Sequence, residues 1–275
     1  MPLNLSETLS LLREIGQNPR QSLGQNFLVD GNIVEKSVAL AQVNPGDRVV
    51  EVGPGLGTLT RALLGAGAEV YAIELDFKLH ALLQRTLAVE FPERFHLLQG
   101  DAVDHPLAAL PEDVPFKVVA NLPYAISTPW MEGLFSHNPL PSRMVLMLQS
   151  EAAERYMATP GTKNFGAISI FVQAAFVRQP GHKVSRGCFH PRPEVDSQLL
   201  HLALREDARI LSAPTRLAIR KLFQQRRKQL AALCRGDAAL EAWLTRLVAE
   251  KAVDPRTRPE ALPLEYWMLL EEHMQ

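Results

Sequence analysis

The sequence predicts an α/β fold with a mainly parallel sheet, followed by a small all-helical C-terminal domain. Three observations carry this prediction. From residue 48 to about residue 149, short apolar runs alternate with helically spaced segments, the pattern of a parallel sheet. The first of these runs, residues 48–52, leads directly into Gly53-Pro54-Gly55-Leu56-Gly57 and then a helical stretch over residues 58–64. From Ala213 onward the chain reads as helical, with breaks near Gly236, around Asp254-Pro255 and at Pro263. A boundary near Glu206-Asp207 divides the chain into domains 1–206 and 207–275.

The remaining elements follow in order. Ser6 can cap a helix through Ile15, with Leu5, Leu9, Leu12 and Ile15 on its apolar side and Gly16 as its stop. A polar loop covers residues 18–28, and Asp30 caps a helix reaching about Gln42. Residues 69–73 form a second strand ending at Glu74, and residues 95–99 a third ending at Gly100-Asp101-Ala102. Residues 116–120 form a fourth, and residues 144–148 a fifth, buried one, before a helix that starts at Glu151. Residues 165–177 are mostly apolar and fit helix or strand equally, and residues 198–204 suit a closing strand.

Composition bounds the function. A chain of 275 residues with 47% hydrophobic and 21% charged residues is ordinary for a soluble globular protein. It shows neither the layout of a secretory signal nor an apolar run able to span a bilayer. Cys188 and Cys234 are too few for a disulfide framework and lack metal-ligand spacing, so a reducing cytoplasm and no metal are expected. The net charge is −1, yet residues 155–193 and 208–236 contain no Asp or Glu. The first segment carries Arg155, Lys163, Arg178, Lys183, Arg186 and Arg192; the second includes Arg220, Lys221, Arg226, Arg227 and Lys228. If the two fold together they make a positive surface suited to phosphate backbones, whereas an ordinary solvated helix face carries both signs.

The chemistry-bearing motifs lie at strand ends. Glycines let the backbone turn sharply and approach a ligand, the next helix presents unpaired N–H groups, and Glu74 is placed to bind both hydroxyls of a ribose. A nicotinamide or flavin loop normally reads G-x-G-x-x-G. Gly53, Gly55 and Gly57 instead follow the tighter G-x-G-x-G, with Glu51 two residues before, and this resembles the class I S-adenosylmethionine-dependent methyltransferases, which are Rossmann-like. In that class an acid at Asp101 binds the adenine amino group of the cofactor. At Asn121-Leu122-Pro123-Tyr124, the Asn side chain and the next carbonyl can accept from an exocyclic amine, and Tyr124 offers a stacking face. Read alone, this is a strand ending in a proline turn. Phe189-His190-Pro191-Arg192-Pro193 is extended and stiff, so Phe189 either sandwiches a flipped base with Tyr124 or plugs the core.

Five stretches, residues 20–28, 51–57, 121–124, 189–197 and 223–228, together resemble the ribosomal RNA adenine N6-dimethyltransferases, in particular the bacterial small-subunit branch of the kasugamycin-resistance type. The resemblance spans nearly the whole chain. It implies S-adenosyl-L-methionine as cofactor and two adjacent adenines near the 3′ end of small-subunit rRNA as substrate, within the small subunit or its late precursor, with a role in subunit assembly. Asn26, Leu28, Gly53, Gly55, Gly57, Glu74, Asp101, Ala102 and Asn121 would surround the cofactor. Asn121, Leu122 and Tyr124 would grip the adenine, with Phe189 on its other face; the helical domain would bind RNA, and the protein is expected to be monomeric. The large-subunit adenine methyltransferases of macrolide resistance share several of these motifs. Leu122, the Gln-Arg-Arg-Lys run and the polar loop before Phe27 favour the small-subunit branch. A ribosome assembly factor with secondary catalysis is the alternative of a different class.

Overall fold

The computed structural model describes residues 2–20 and 23–274; Gln21 and Ser22 of the polar loop lie outside the described residues. The strands are β1 (Phe27–Leu28), β2 (Arg48–Val52), β3 (Glu69–Glu74), β4 (Phe95–Gln99), β5 (Lys117–Asn121), β6 (Arg143–Gln149), β7 (Phe176–Val184), β8 (Phe189–His190) and β9 (Ser197–Leu204). Seven of them form one sheet in the order β4-β3-β2-β5-β6-β9-β7, while β1 and β8 make a separate two-stranded ladder. Strands β2 to β6 pair in parallel, and β9 runs antiparallel to β6. Such a sheet is covered on both faces, so its strands are continuous apolar runs rather than alternating ones. Met144 to Leu148 are accordingly all buried.

Chain order moves outward from β2 in both directions, through β3 and β4 on one side and β5 and β6 on the other. The connections therefore diverge between β2 and β5, leaving a crevice beyond their carboxyl ends. Helices α1 (Leu5–Glu14), α2 (Gly31–Leu40), α3 (Thr58–Gly65), α4 (Phe77–Arg85), α5 (Leu87–Glu90) and α6 (Ser127–Leu134) accompany this sheet. Asp30 caps α2 as expected, its side chain accepting from the Asn32 N–H. Asn4, rather than Ser6, caps α1: its side chain accepts from the Glu7 N–H at 3.0 Å, and Glu7 accepts from the Asn4 N–H at 2.8 Å. This reciprocal pair satisfies two end donors at once, which a serine two residues later cannot do.

Residues 165–177 resolve as helix followed by strand, because β7 begins at Phe176. Pro180 and Gly181 concealed that strand, since both are depleted from strand interiors and tolerated at an edge. Glycine is required at 181, where an added Cβ would fall 2.2 Å from the Leu199 carbonyl oxygen.

The chain divides into two compact units, residues 1–153 with 178–204, and residues 154–177 with 205–275. A single cut near 206 therefore misplaces residues 154–177, which pack with the C-terminal helices. The second unit contains α7 (Ser150–Tyr156) from residue 154 onward, α8 (Ala167–Ala175), α9 (Ala213–Gln224), α10 (Leu230–Cys234), α11 (Ala238–Lys251) and α12 (Leu264–Met268). Its core is a run of rings: Phe165 to Phe223 at 6.0 Å, Phe223 to Trp267 at 5.4 Å and Trp267 to Trp243 at 5.3 Å between centroids.

Candidate active site

The carboxyl ends of β2, β3 and β5 and the turn after β4 open into one cavity of about 1050 Å³, including its mouth. Its wall includes Asn26, Leu28, Gly53, Gly55, Glu74, Asp101, Ala102 and Asn121, all expected from the sequence to surround a cofactor, together with Glu51. Gly57 is not on the wall. It sits at the start of α3 with φ +82°, and an added Cβ would meet Leu87 at 2.7 Å, so it serves the turn and the packing behind it. Gly55 has φ +61°, and a Cβ there would press on the Phe27 ring at 3.3 Å. The loop thus keeps its backbone against the cavity only because no side chain intervenes.

Among the described residues the wall carries three carboxylates, Glu51, Glu74 and Asp101, and no Lys, Arg or His. Glu74 accepts from the Gly55 N–H at 3.0 Å and from the Asp76 N–H at 2.8 Å. Burial nevertheless pushes its carboxyl up to about 7. Glu51 is 2% exposed; burial, partly opposed by the Thr60 hydroxyl and reinforced by the charge of Glu74, pushes it up to about 8. Asp101 is steadied by accepting from the Val103 N–H at 2.8 Å. Acids without a fixed cation fit a positively charged ligand, and Glu74 can exchange its backbone donors for ribose hydroxyls. S-adenosylmethionine, a sulfonium carried on a nucleoside, has these features.

A second wall comes from the amino-terminal polar loop, held by Asp76, a residue the sequence did not single out. Asp76 is 3% exposed. It accepts from Gln17 Nε2 at 2.7 Å and Gln25 Nε2 at 3.2 Å, with Arg20 at 3.6 Å. Its other oxygen caps α4 through the N–H groups of Lys78 and Leu79. Lys78 Nζ donates to the Gly16 carbonyl at 2.6 Å, and Arg85 pairs with Glu14 at 2.8 Å. Leu12, Phe27, Leu56, Leu79 and Leu82 form a small apolar cluster beneath. Leu23, Gly24, Gln25 and Asn26 are thereby held against the cavity. The glutamine partners of Asp76 lie more than 50 residues away in sequence, which leaves no local mark.

At the end of β5, Asn121 Nδ2 donates to the Asn26 carbonyl at 3.0 Å. The amide is thereby oriented so that Oδ1 remains available as an acceptor. Leu122 is 1% exposed and off the wall, which leaves its carbonyl as the group to consider. Tyr124 is half-buried and does not line the cavity, although its neighbours Pro123 and Ala125 do, and its hydroxyl shares a 2.9 Å hydrogen bond with the buried Ser197. Burial raises the Tyr124 phenol above its ordinary range, keeping it neutral. Phe189 is not brought to the cavity: it is 4% exposed, pairs in register with Leu28, and belongs to the main apolar cluster. Of the two readings of its sequence, the core plug is the one realised here.

Arg178, Lys183, Arg186 and Arg192 belong to the first unit, whereas Arg220, Lys221, Arg226, Arg227 and Lys228 are in the second and are not equivalent. Arg226 donates to Glu260 at 2.5 Å and to the Lys163 carbonyl at 3.0 Å. Lys221 lies 3.6 Å from Asp237. The Arg220 guanidinium sits 5.8 Å over the Phe171 ring. Arg227 and Lys228 are exposed and make no ion pair among the described residues. Residues 155–177 do fold with 208–236, but acids from outside both segments engage part of the charge. Among the described residues no cluster of His, Cys, Asp and Glu could hold a metal ion, and no helix is long and apolar enough to cross a membrane.

A family model described as ribosomal RNA adenine dimethylase matches residues 16–262. A protein of Opitutus terrae named ribosomal RNA small subunit methyltransferase A is 55% identical over 275 residues, covering 98% of this chain and 99% of its own. Among solved structures, a dimethyladenosine transferase from Plasmodium falciparum is similar with a TM-score of 0.71 and 26% identity, over 89% of this chain and 95% of that one. The 23S rRNA methyltransferase ErmE shares the fold, with a TM-score of 0.63 and 22% identity over 90% of this chain and 99% of its own. The fold is thus that of the Rossmann-like rRNA methyltransferases, and this chain belongs to the ribosomal RNA adenine dimethylase family.

Proposed function

We propose that this protein transfers methyl groups from S-adenosyl-L-methionine to N6 of two adjacent adenines near the 3′ end of small-subunit rRNA, giving dimethyladenosines. The carrying observation is the oriented Asn121 amide, fixed by the Asn26 carbonyl at 3.0 Å beside an acid-walled cavity. Curated relatives named as small-subunit enzymes support this branch over the large-subunit one.

The cofactor supplies an electrophilic methyl on a sulfonium, so the protein's task is alignment. Asn121 Oδ1 and the Leu122 carbonyl would accept hydrogen bonds from the two N–H groups of the adenine amine and turn its lone pair toward the cavity. Tyr124, held by Ser197, would stack on the base. Fixed geometry of this kind can supply roughly 7–11 kcal/mol of a barrier. Among the described residues the hydrogen bond made by the Asn121 amide goes to a backbone carbonyl and not to a His or carboxylate, so the amine proton would leave to solvent. Arg227 and Lys228 would contact the RNA backbone, and the reaction would take place in the cytoplasm, on the small subunit or its late precursor.

The test is to incubate the protein with labelled cofactor and unmodified small subunits, with large-subunit RNA in parallel, and map the methylated bases. Paired dimethyladenosines in the small-subunit RNA are expected. Label in large-subunit RNA alone would move the chain to the resistance branch, and tight binding without transfer would make it an assembly factor.

A further inference from the structure

Glu51 differs from the other carboxylates of the cavity. Glu74 is answered by two backbone N–H groups and Asp101 by one, whereas Glu51, 2% exposed, has only the Thr60 hydroxyl beside it, and neither its Oε2 nor Thr60 Oγ1 completes a hydrogen bond. The charged groups around it offer no compensation. On adjoining β3 stands Glu74, with Asp76 just beyond, and Asp101 closes the wall after β4. The cations of neighbouring elements are engaged elsewhere: Arg20 with Asp76 at 3.6 Å, Arg61 of α3 with Glu90 at 3.1 Å, and Lys117 of β5 with Asp47 at 2.7 Å. A buried carboxylate in this position takes a proton unless a ligand brings positive charge.

We propose that Glu51 distinguishes the methyl donor from its demethylated product, holding a proton when the cavity is empty or contains the neutral thioether and releasing it when a sulfonium occupies the cavity. The inference rests on the reading of this cavity as the S-adenosylmethionine site. In each turnover the amine lone pair forms the N–C bond, the C–S bond breaks, and its electron pair stays on sulfur. The amine proton leaves to solvent, and as the sulfonium charge disappears Glu51 takes up one proton from solvent. Binding of the next donor molecule releases that proton again, so each methyl transferred yields one net proton. The upward displacement of Glu51 to about 8 by burial and by Glu74 places this exchange near neutral pH.

The test compares the affinities of S-adenosylmethionine and S-adenosylhomocysteine by calorimetry from about pH 6 to about pH 9, in buffers of different ionisation enthalpy. The preference for the donor should rise with pH by up to about tenfold per unit before levelling off, and donor binding should release more protons than product binding. Glu51→Gln should flatten that rise, and Glu51→Asp should retain it. Titration of the ligands' own amines is common to all variants, so the difference in slope belongs to Glu51. Equal slopes in wild type and Glu51→Gln, or equal proton release for both ligands in the wild type, would overturn the proposal while leaving the cavity assignment intact. Failure of both ligands to bind the wild-type protein would overturn the cavity assignment as well.

Discussion

Asn121 is held in place by a backbone group, the Asn26 carbonyl, so its orientation does not depend on another side chain's rotamer. Asn121→Ala should lower methyl transfer by about 10²-fold or more, the scale of losing one aligned transition-state contact. It should change donor affinity by no more than about tenfold, the scale of one hydrogen bond. Single-turnover transfer and calorimetric binding measured side by side would show the split, and wild-type transfer would refute the assignment. Glu51 leads to a second expectation. Its folded-state value is raised to about 8 from an ordinary carboxylate value near 4.5, so the folded state holds the proton more tightly than the unfolded one. The stability that this provides is fully present below the ordinary value and lost as pH rises through about 8. Urea midpoints of the ligand-free protein should fall across that window, and Glu51→Gln should remove much of the fall. The glycine loop, Glu74, Asp101 and Asn121 were legible at this scale because each stands at or just beyond the carboxyl end of a parallel strand. Ser197 behind Tyr124 was not, because a hydroxyl partner 73 residues away leaves no local mark.

Among elements, the amino-terminal segment does more than the sequence suggested. Residues 23–26 are held on the cavity wall by Asp76, which gathers Gln17, Gln25 and Arg20. Asp76→Ala removes those bonds and a helix cap, the cap alone contributing about 1 kcal/mol. Amide exchange over residues 17–28 should accelerate and donor affinity should fall, with transfer at saturating donor largely retained; unchanged exchange would show that the apolar cluster around Leu12 and Phe27 holds the segment unaided. The buried parallel strands were readable because continuous apolar runs have few other uses. Edge strand β7 was not, since it is mostly exposed and interrupted by Pro180 and Gly181.

At the scale of the whole molecule, the acid-free stretches suggested a cationic surface, and the structure narrows that suggestion. Arg226 is bound to Glu260, so Arg226→Ala should mainly destabilise the C-terminal unit. Replacing Arg227 and Lys228 by Ala should weaken rRNA binding and lower the slope of log affinity against log salt by about 1.4–1.8, on the order of 0.7–0.9 per phosphate contact. A filter-binding salt titration measures this, and an unchanged slope would exclude both residues from the interface. The division of the chain was only partly legible: composition changes near residue 206, but Phe165 joins the ring core of Phe223, Trp267 and Trp243 from far earlier in the sequence.

That interleaving constrains recombination. A chimera that exchanged only residues 207–275 with a relative would graft helices onto a foreign Phe165 and α8, mixing two parental cores within one unit. The heritable module is discontinuous, with junctions near 153, 177 and 204, and a library built on those three crossovers should retain more folded members than one built on a single late crossover.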